Sequence, residues 1–180
     1  MAKIKNGTTV VTNPVRLSYA NVWEPKSING SEPKYSVSLL IPKTDKETIN
    51  AIQTAIDNAI QGGIGTYGGK IPPKGALKLP LRDGDTERDD EVYKGCYFIN
   101  ANSKTQPQIV DAAVAPVLDR SEVYSGCWAR VSINLYPFSA SGNKGVACGL
   151  GNIQKVRDDN RLGGGSNASE DFDEFDDMGL

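Results

Sequence analysis

Apolar and polar residues alternate with a period of two along several segments of this chain, which is the pattern of strands that bury one face. Such strands are predicted at residues 8–23, 35–41, 95–104, 126–138 and 145–156. In the 126–138 segment, apolar residues occupy the odd-numbered positions from Cys127 to Leu135, whereas aromatic, polar and basic residues occupy the even-numbered positions. The odd-numbered set is therefore predicted to join a core, and the even-numbered set to form an exposed surface.

A different period marks one helix. Apolar residues recur at helical spacing between Ile49 and Ile60, preceded by the S/T-x-x-E capping pattern at Thr44 and Glu47. A pair of glycines follows, so an amphipathic helix is predicted over about residues 44–61.

Strands with one helix and long loops favour a mainly β domain. Residues 62–78 are rich in glycine, proline and lysine, which predicts a mobile basic loop. Gly149 and Gly151 predict a bulge or tight curvature in the last strand. The predicted fold is an OB-fold-like five-stranded barrel over residues 1–162.

The last 18 residues, 163–180, have a different composition and are predicted to be a flexible acidic tail. Leaving out the tail's six acidic residues from the total of 22 leaves 16 against 20 basic residues, so residues 1–162 carry about +4. A basic body tethered to an anionic segment suits a protein that binds a polyanion. The residues predicted to compete for the same surface and to bind partner proteins are Asp171, Phe172, Asp173, Glu174, Phe175, Asp176 and Asp177.

Several classes of function lack their sequence signals. The chain has no histidine, and its three cysteines have no CxxC spacing, so we expect reduced core thiols, no metal site and no cofactor. The phosphate-binding string GxxxxGK[ST] is absent, which gives nucleotide hydrolysis no support. No signal peptide and no stretch of 18 apolar residues is found, so we expect a cytoplasmic protein without membrane contact.

The even-numbered face of residues 126–138 carries the residue types that hold single-stranded nucleic acid. Aromatic rings stack on bases of any sequence, and neighbouring cations pair with phosphates. The outward face of residues 95–104 is predicted to add a second set to the same groove. The predicted DNA-binding residues are Trp128, Arg130, Asn134, Tyr136, Phe138, Phe98, Lys104, Lys94 and Lys144. The alternative is that these rings form a second small core under the helix or a loop.

Two other functions stay open at this point. The carboxylates between Asp83 and Glu91 could hold magnesium for phosphodiester cleavage, although a solvated turn accounts for them better. An EF-hand is excluded because Arg88 stands where the pattern requires glycine. The aromatic strand could also be the protein interface of a structural or adaptor protein. Salt-dependent DNA binding would distinguish that case.

Four segments resemble a known family of phage and prophage single-stranded DNA-binding proteins. These are KYSVSLLIPK (34–43), LPLRDGD (79–85), YKGCYFINANSKTQP (93–107) and VYSGCWARVSINLYPFSASGNKGVACGLGNIQKVRD (123–158). The resemblance covers residues 8–164. It implies an oligonucleotide-binding barrel with an acidic tail that binds single-stranded DNA without catalysis, in replication or recombination. The implied partners are single-stranded DNA and, through the tail, replication or recombination proteins, and a homo-oligomer stays open.

Overall fold

The computed structural model describes residues 1–27 and 29–162, and their fold is mainly β, as predicted. The strands are β1 (Lys3–Lys5), β2 (Thr9–Val11), β3 (Val15–Lys26), β4 (Lys34–Pro42), β5 (Leu81–Asp83), β6 (Cys96–Ser103), β7 (Ile109–Val110), β8 (Trp128–Ala140) and β9 (Asn143–Arg157). The helices are α1 (Lys46–Gln61) and the short α2 (Gly84–Glu87), with 3-10 turns at Lys74–Ala76, Glu91–Tyr93 and Arg120–Glu122. The predicted tail, including Asp171, Phe172, Asp173, Glu174, Phe175, Asp176 and Asp177, lies outside the described residues.

The five long strands pair in a closed ring, in the order β3, β4, β6, β9, β8 and back to β3. The β6–β9 pair is parallel and the other four pairs are antiparallel. The short strands extend this ring at its edges, since β2 joins β8, β1 joins β2, β5 joins β6 and β7 joins β9. Closure matters for function because it gives the sheet one inner face for the core and one outer face for ligands.

The core fills the ring with the residues that the alternation selected. Cys127, Ala129, Val131, Ile133 and Leu135 of β8 are all buried, as predicted. Helix α1 packs on β8 through its apolar stripe, in which Ile52 and Ala55 are fully buried. Cys127 and Cys148 are free thiols inside this core, and burial raises the pKa of each.

The start of α1 differs from the predicted capping box. Asp45 is the N-cap, and its carboxylate accepts a hydrogen bond from the backbone N–H of Thr48 at 3.2 Å. The side-chain amide of Asn13 donates to the same carboxylate at 3.0 Å, while Glu47 accepts from the backbone N–H of Ala2. The prediction of Thr44 as the cap is therefore wrong by one residue, because the long-range contact from Asn13, between β2 and β3, favours Asp45.

The predicted first strand, 8–23, is two strands. A bend at Asn13 and Pro14 separates β2 from β3, since proline has no N–H to continue the ladder. Both strands pair in succession with the same edge of β8, whose other edge pairs with β9. In β9, the predicted bulge is confirmed: the register with β8 shifts between the Val131 and Ile133 pairs. A Cβ on Gly151 would lie 2.4 Å from the Ser132 hydroxyl, so this bulge needs glycine.

The loop at 62–78 is irregular, as predicted, but it is anchored to the ring. Tyr67 is buried, and its hydroxyl donates to the carbonyl of Gly145 at 2.7 Å. The backbone of Lys78 bonds on both sides of that glycine, to Lys144 and Val146 at 2.9 Å each. These bonds do not fit the prediction of a mobile loop at Tyr67 and Lys78. Within the described part of the chain, no helix is long and apolar enough to cross a membrane.

Candidate nucleic-acid interface

An open cleft lies on the outer face of the ring, where β5, β6, β8 and β9 meet. Its lining combines two cations, two side-chain amides and one aromatic ring with small apolar side chains. The residues are Lys78, Leu79, Pro80, Arg82, Asn100, Asn102, Phe138, Val146, Ala147 and Cys148. The alternation assigned Phe138, Asn100 and Asn102 to one groove, and the structure brings these three together.

Close backbone packing places Lys78 at this cleft. A Cβ on Gly145 would lie only 2.1 Å from the carbonyl oxygen of Lys78, so glycine is required for the two segments to pair. Tyr136 lies on the same face of β8, two residues from Phe138, with its side chain beside Gly149 and 41% exposed. The cleft therefore contains the half-exposed ring of Phe138 together with two cations, and the exposed ring of Tyr136 lies nearby on the same strand.

A cluster of arginine and aromatic side chains continues this surface across β6. We call it the Arg88 cluster; its members are Tyr19, Arg82, Arg88, Tyr93 and Phe98. The guanidinium of Arg88 lies 4.2 Å from the ring centroid of Tyr93, 5.6 Å from that of Tyr19 and 5.9 Å from that of Phe98. The guanidinium of Arg82 lies 5.4 Å from the Phe98 ring and also lines the cleft. The cluster and the cleft form one continuous strip, named here the β6 strip.

Phe98 is a correction to the predicted site. Its ring is fully buried with Leu40 and Tyr93 in a second small core, and it meets the Tyr93 ring edge-on at 5.2 Å. The hydroxyl of Tyr93 lies 3.1 Å from the Ser18 hydroxyl and 3.5 Å from that of Ser38, and hydrogen bonding among the three groups holds the 3-10 turn over the outer face of β3 and β4. A covered ring has no free face for a base, so the predicted exposure of Phe98 is wrong.

An ion-pair cluster around Lys43 holds the segment that carries Arg88. The ammonium of Lys43 lies 2.8 Å from the Asp83 carboxylate and 2.6 Å from that of Asp85. These hydrogen bonds lower the pKa of both carboxylates, and backbone N–H groups reinforce the shift, with that of Gly95 donating to Asp85 at 3.0 Å. The Lys43 cluster thus fixes both ends of the 83–95 segment beside the strip.

Three more carboxylates of this segment have structural partners. Glu87 pairs with Arg82 at 2.7 Å, Asp90 accepts from the N–H of Val92 at 3.1 Å and Glu91 pairs with Lys94 at 3.0 Å. The described residues contain no group of three or more cysteine, aspartate or glutamate side chains arranged to hold a metal ion. The nuclease alternative therefore gains no support from this geometry.

Trp128 lies at the opposite end of β8 from the cleft, eight residues from Tyr136 and about 26 Å away at 3.3 Å per residue. Its indole N–H donates to Asp159 at 2.9 Å, and the guanidinium of Arg157 lies 4.4 Å from its ring centroid. The Trp128 bond, with the N–H of Asn160 and nearby arginines, lowers the pKa of Asp159. The aromatic residues predicted to share one groove on β8 therefore lie near opposite ends of the strand.

Arg130 and Asn134, between those ends, contact the N-terminal strands. Arg130 donates to the carbonyl oxygens of Thr12 at 2.9 Å and Met1 at 2.7 Å. The Asn134 side-chain oxygen accepts from the hydroxyls of Thr8 and Thr9 at 3.2 and 3.3 Å. Both side chains hold β1 and β2 against β8, a role that their position in the alternating pattern did not indicate.

The three predicted lysines lie at separate places around the ring. Lys104 forms an exposed ion pair with Glu32 at 3.2 Å, and Lys94 pairs with Glu91. Lys144 donates to the carbonyl of Tyr67 at 2.9 Å and so helps anchor the 62–78 loop. Exposed ion pairs contribute about 0–1 kcal/mol, so a phosphate can replace the carboxylate partners of Lys104 and Lys94 at little cost.

The structure adds Tyr19, Lys78, Arg82 and Arg88 to the candidate interface. The sequence does not indicate a binding role for the two arginines, because they lie in an acidic segment that resembles a solvated turn. The irregularity at Tyr19 has a trace in the alternating pattern. The buried residues of β3 are at odd-numbered positions at Val15 and Leu17 but at an even-numbered position at Val22, so β3 contains one extra residue between Leu17 and Val22.

A family model matches nearly the whole chain. Residues 8–179 match the family of the single-stranded-DNA-binding protein of Enterobacter phage Enc34. This chain belongs to that family. Across 177 residues it is also 30% identical to protein p50 of Acyrthosiphon pisum secondary endosymbiont phage 1, covering 93% of this chain and 92% of the relative.

Solved structures of the Enc34 family are similar to this chain throughout. The Enc34 protein in complex with single-stranded DNA is 27% identical, with a TM-score of 0.73 over 89% of this chain and 96% of that one. Another structure of the Enc34 protein is 25% identical, with a TM-score of 0.74 over 94% of each chain. The single-stranded DNA-binding protein gp2.5 of bacteriophage T7 is 17% identical, with a TM-score of 0.62 over 100% of this chain and 98% of gp2.5, which is a likeness of fold.

Proposed function

We propose that this protein binds single-stranded DNA without sequence preference and without catalysis, in the replication or recombination of phage DNA. The observation that carries the proposal is its similarity to the Enc34 protein in complex with single-stranded DNA, which extends over 89% of this chain. Because the similarity extends over the whole ring of strands, it supports a shared binding surface on the ring better than a shared single loop.

The chemistry of the β6 strip supports the same function. Single-stranded DNA offers bases with flat apolar faces and one negative charge per phosphate. Phe138 and Tyr136 provide rings, Arg82 and Lys78 provide cations, and the amides of Asn100 and Asn102 bond to any base edge. Because none of these groups distinguishes one base from another by shape alone, the strip suits binding without sequence preference.

The remaining predicted contacts extend the path of the DNA around the ring. Lys104 follows the end of β6, and Lys94 lies beside the Lys43 cluster. Trp128 and Arg130 would meet a strand long enough to pass beyond the cleft along β8. We therefore place the strongest contacts at the β6 strip and the weaker ones at the Trp128 end.

The acidic tail would compete with DNA for this surface and recruit replication or recombination proteins when displaced. Leu162, the last described residue before the tail, packs against Leu40, Tyr93 and Phe98. A tail that continues from Leu162 would start beside the Arg88 cluster, and its six carboxylates would be at high effective concentration near the strip.

The test is a titration of labelled oligothymidylate, followed by fluorescence anisotropy at low and high salt, with a duplex of equal length for comparison. We expect binding to the single strand, with log affinity falling against log salt by about 0.7 for each phosphate contacted. Oligodeoxyadenylate should bind with similar affinity. Absence of binding, or binding that ignores salt, would favour the adaptor alternative, and magnesium-dependent cleavage of the probe would favour the nuclease.

A further inference from the structure

A backbone irregularity in β3 lies next to the β6 strip. Ser18 pairs with Ser38 and Asn21 with Ser36, so β3 contains one residue more than β4 in this interval. Within it, Tyr19 has a φ of 48°, in the left-handed region that bulky residues rarely occupy. A bulge of this kind turns a side chain out of the regular alternation, and strained residues concentrate at ligand sites.

The bulge directs the Tyr19 ring to solvent. The residue is 60% exposed, although an aromatic ring on a regular strand gains more by packing. The hydroxyl accepts a hydrogen bond from the Arg88 guanidinium at 3.3 Å, which orients the ring from one edge. The strain at Tyr19 therefore produces a ring that is held in place and has accessible area.

Arg88 differs from the neighbouring cations in its charge balance. Arg82, Lys43 and Lys94 each pair with a carboxylate, but Arg88 has no ion pair among the described residues. It is half-buried against the Tyr93 and Tyr19 rings, and the Asp90 carboxylate acts on its charge from beyond ion-pair distance. A fixed guanidinium with free donors next to an exposed ring is an arrangement that binds an anion joined to a flat apolar group.

We propose that Tyr19 and Arg88 form a nucleotide subsite, in which a base stacks on the Tyr19 ring and the adjoining phosphate pairs with Arg88. The subsite rests on the proposed binding of single-stranded DNA and gives it a location at the β3 side of the β6 strip. The Lys43 cluster is its support, because it holds the segment from which Arg88 reaches the ring.

The test uses two variants and two probes. Tyr19→Gly removes the ring and also relieves the positive φ, whereas Arg88→Gln removes the charge. The probes are oligothymidylate and an abasic strand of equal length, which keeps the phosphates and lacks the bases. We expect Tyr19→Gly to lower affinity for oligothymidylate about tenfold and to leave affinity for the abasic strand unchanged. Arg88→Gln should weaken binding to both strands and reduce the salt slope by about 0.7.

Matched controls separate these effects from folding. Tyr19→Phe keeps the ring and should bind oligothymidylate like the wild type, and Arg120→Gln removes an exposed arginine outside the strip and should change little. Tyr19→Gly should unfold at the same or a higher temperature than the wild type, because glycine adopts a φ of 48° without strain. Should it fail to fold, Tyr19→Asn replaces it, since asparagine also tolerates this conformation.

The outcomes distinguish the subsite from the proposed function. If the wild type binds and the Tyr19→Gly and Arg88→Gln variants bind with the same affinity and the same salt slope, the subsite is overturned and the proposed function is not. If Tyr19→Gly lowers affinity for oligothymidylate and for the abasic strand equally, base stacking at Tyr19 is overturned. Failure of the wild type to bind either strand would overturn the proposed function, and the subsite with it.

Discussion

At the scale of single residues, position in the alternating pattern does not determine exposure. Phe98 and Phe138 both point away from the main core, yet Phe98 is fully buried and Phe138 lines an open cleft. The difference arises because Tyr93 packs over the outer face of β4 and β6 at Phe98, while the face at Phe138 has no such cover in the described residues. One ring therefore stabilises the fold and the other is available to a ligand.

This contrast predicts opposite effects of two similar substitutions. Phe98→Ala should lower the free energy of unfolding by about 3–5 kcal/mol, because it leaves a cavity in a closed cluster. Phe138→Ala should cost less stability and should weaken binding of oligothymidylate about tenfold, through the loss of a stacking surface. Urea unfolding and anisotropy titrations of both variants provide the comparison. A Phe98→Ala protein of unchanged stability would contradict the burial of that ring.

At the scale of elements, the 83–95 segment illustrates how charges that look like a functional site serve the fold. It contains the short helix α2 and one 3-10 turn, and each is too short to be stable alone. The Lys43 cluster and the Asp90 cap supply the bonds that hold them. Because the segment presents Arg88 to the β6 strip and its Glu87 pairs with Arg82, its anchoring also determines the geometry of the candidate interface.

The Lys43 cluster predicts a pH dependence. Pairing lowers the pKa of Asp83 and Asp85 in the folded state below the usual carboxylate value of about 3.9. The pairs therefore contribute stability above about pH 4, and this contribution is lost as the pH falls through the lowered values. Lys43→Gln should unfold at lower urea concentration than the wild type at neutral pH, and the difference should shrink below about pH 4.

The control for this prediction is Lys46→Gln, which removes an exposed lysine at the start of α1. Its midpoint should stay close to that of the wild type at every pH. A Lys43→Gln deficit that persists undiminished in acid would mean that packing of the lysine against Tyr97, 5.1 Å away, provides the stability instead of the ion pairs.

At the scale of the whole molecule, the distribution of charge matters more than its total. The chain has a net charge of −2, but residues 1–162 carry about +4 because six acidic residues lie in the tail. The described body ends at Leu162, against the small core beneath the Arg88 cluster. Charge and connectivity together support the proposal that the acidic residues after Leu162 compete with an anionic polymer for this surface.

Ending the chain at Gly163 should therefore tighten binding of single-stranded DNA at low salt, and the gain should diminish as salt screens the tail. A matched control keeps the full length and replaces the tail's carboxylates with amides, which separates charge from chain length. Anisotropy titrations of the three proteins at two salt concentrations provide the measurement. Equal affinities for all three would reject competition by the tail and leave it as a solubilising or partner-binding segment.

The sequence by itself determined the local order of this protein. The mainly β class, the amphipathic helix, the core face of β8 and the bulge in β9 follow from periodicity and from glycine placement, because each depends on residues close in the chain. The family resemblance drawn from four segments was likewise sufficient to indicate the Enc34 type of protein, which the family match confirms.

Only the tertiary structure decided which outward-facing side chains meet. Ring closure brings β5, β6, β8 and β9 to one cleft, and it leaves Trp128 about 26 Å along β8 from Tyr136. The same closure covers Phe98 with Tyr93 and brings Arg88 over Tyr19, a residue 69 positions away. Alternation specifies the face on which a residue lies, but cover and neighbours come from distant segments, whose approach depends on packing of the whole ring.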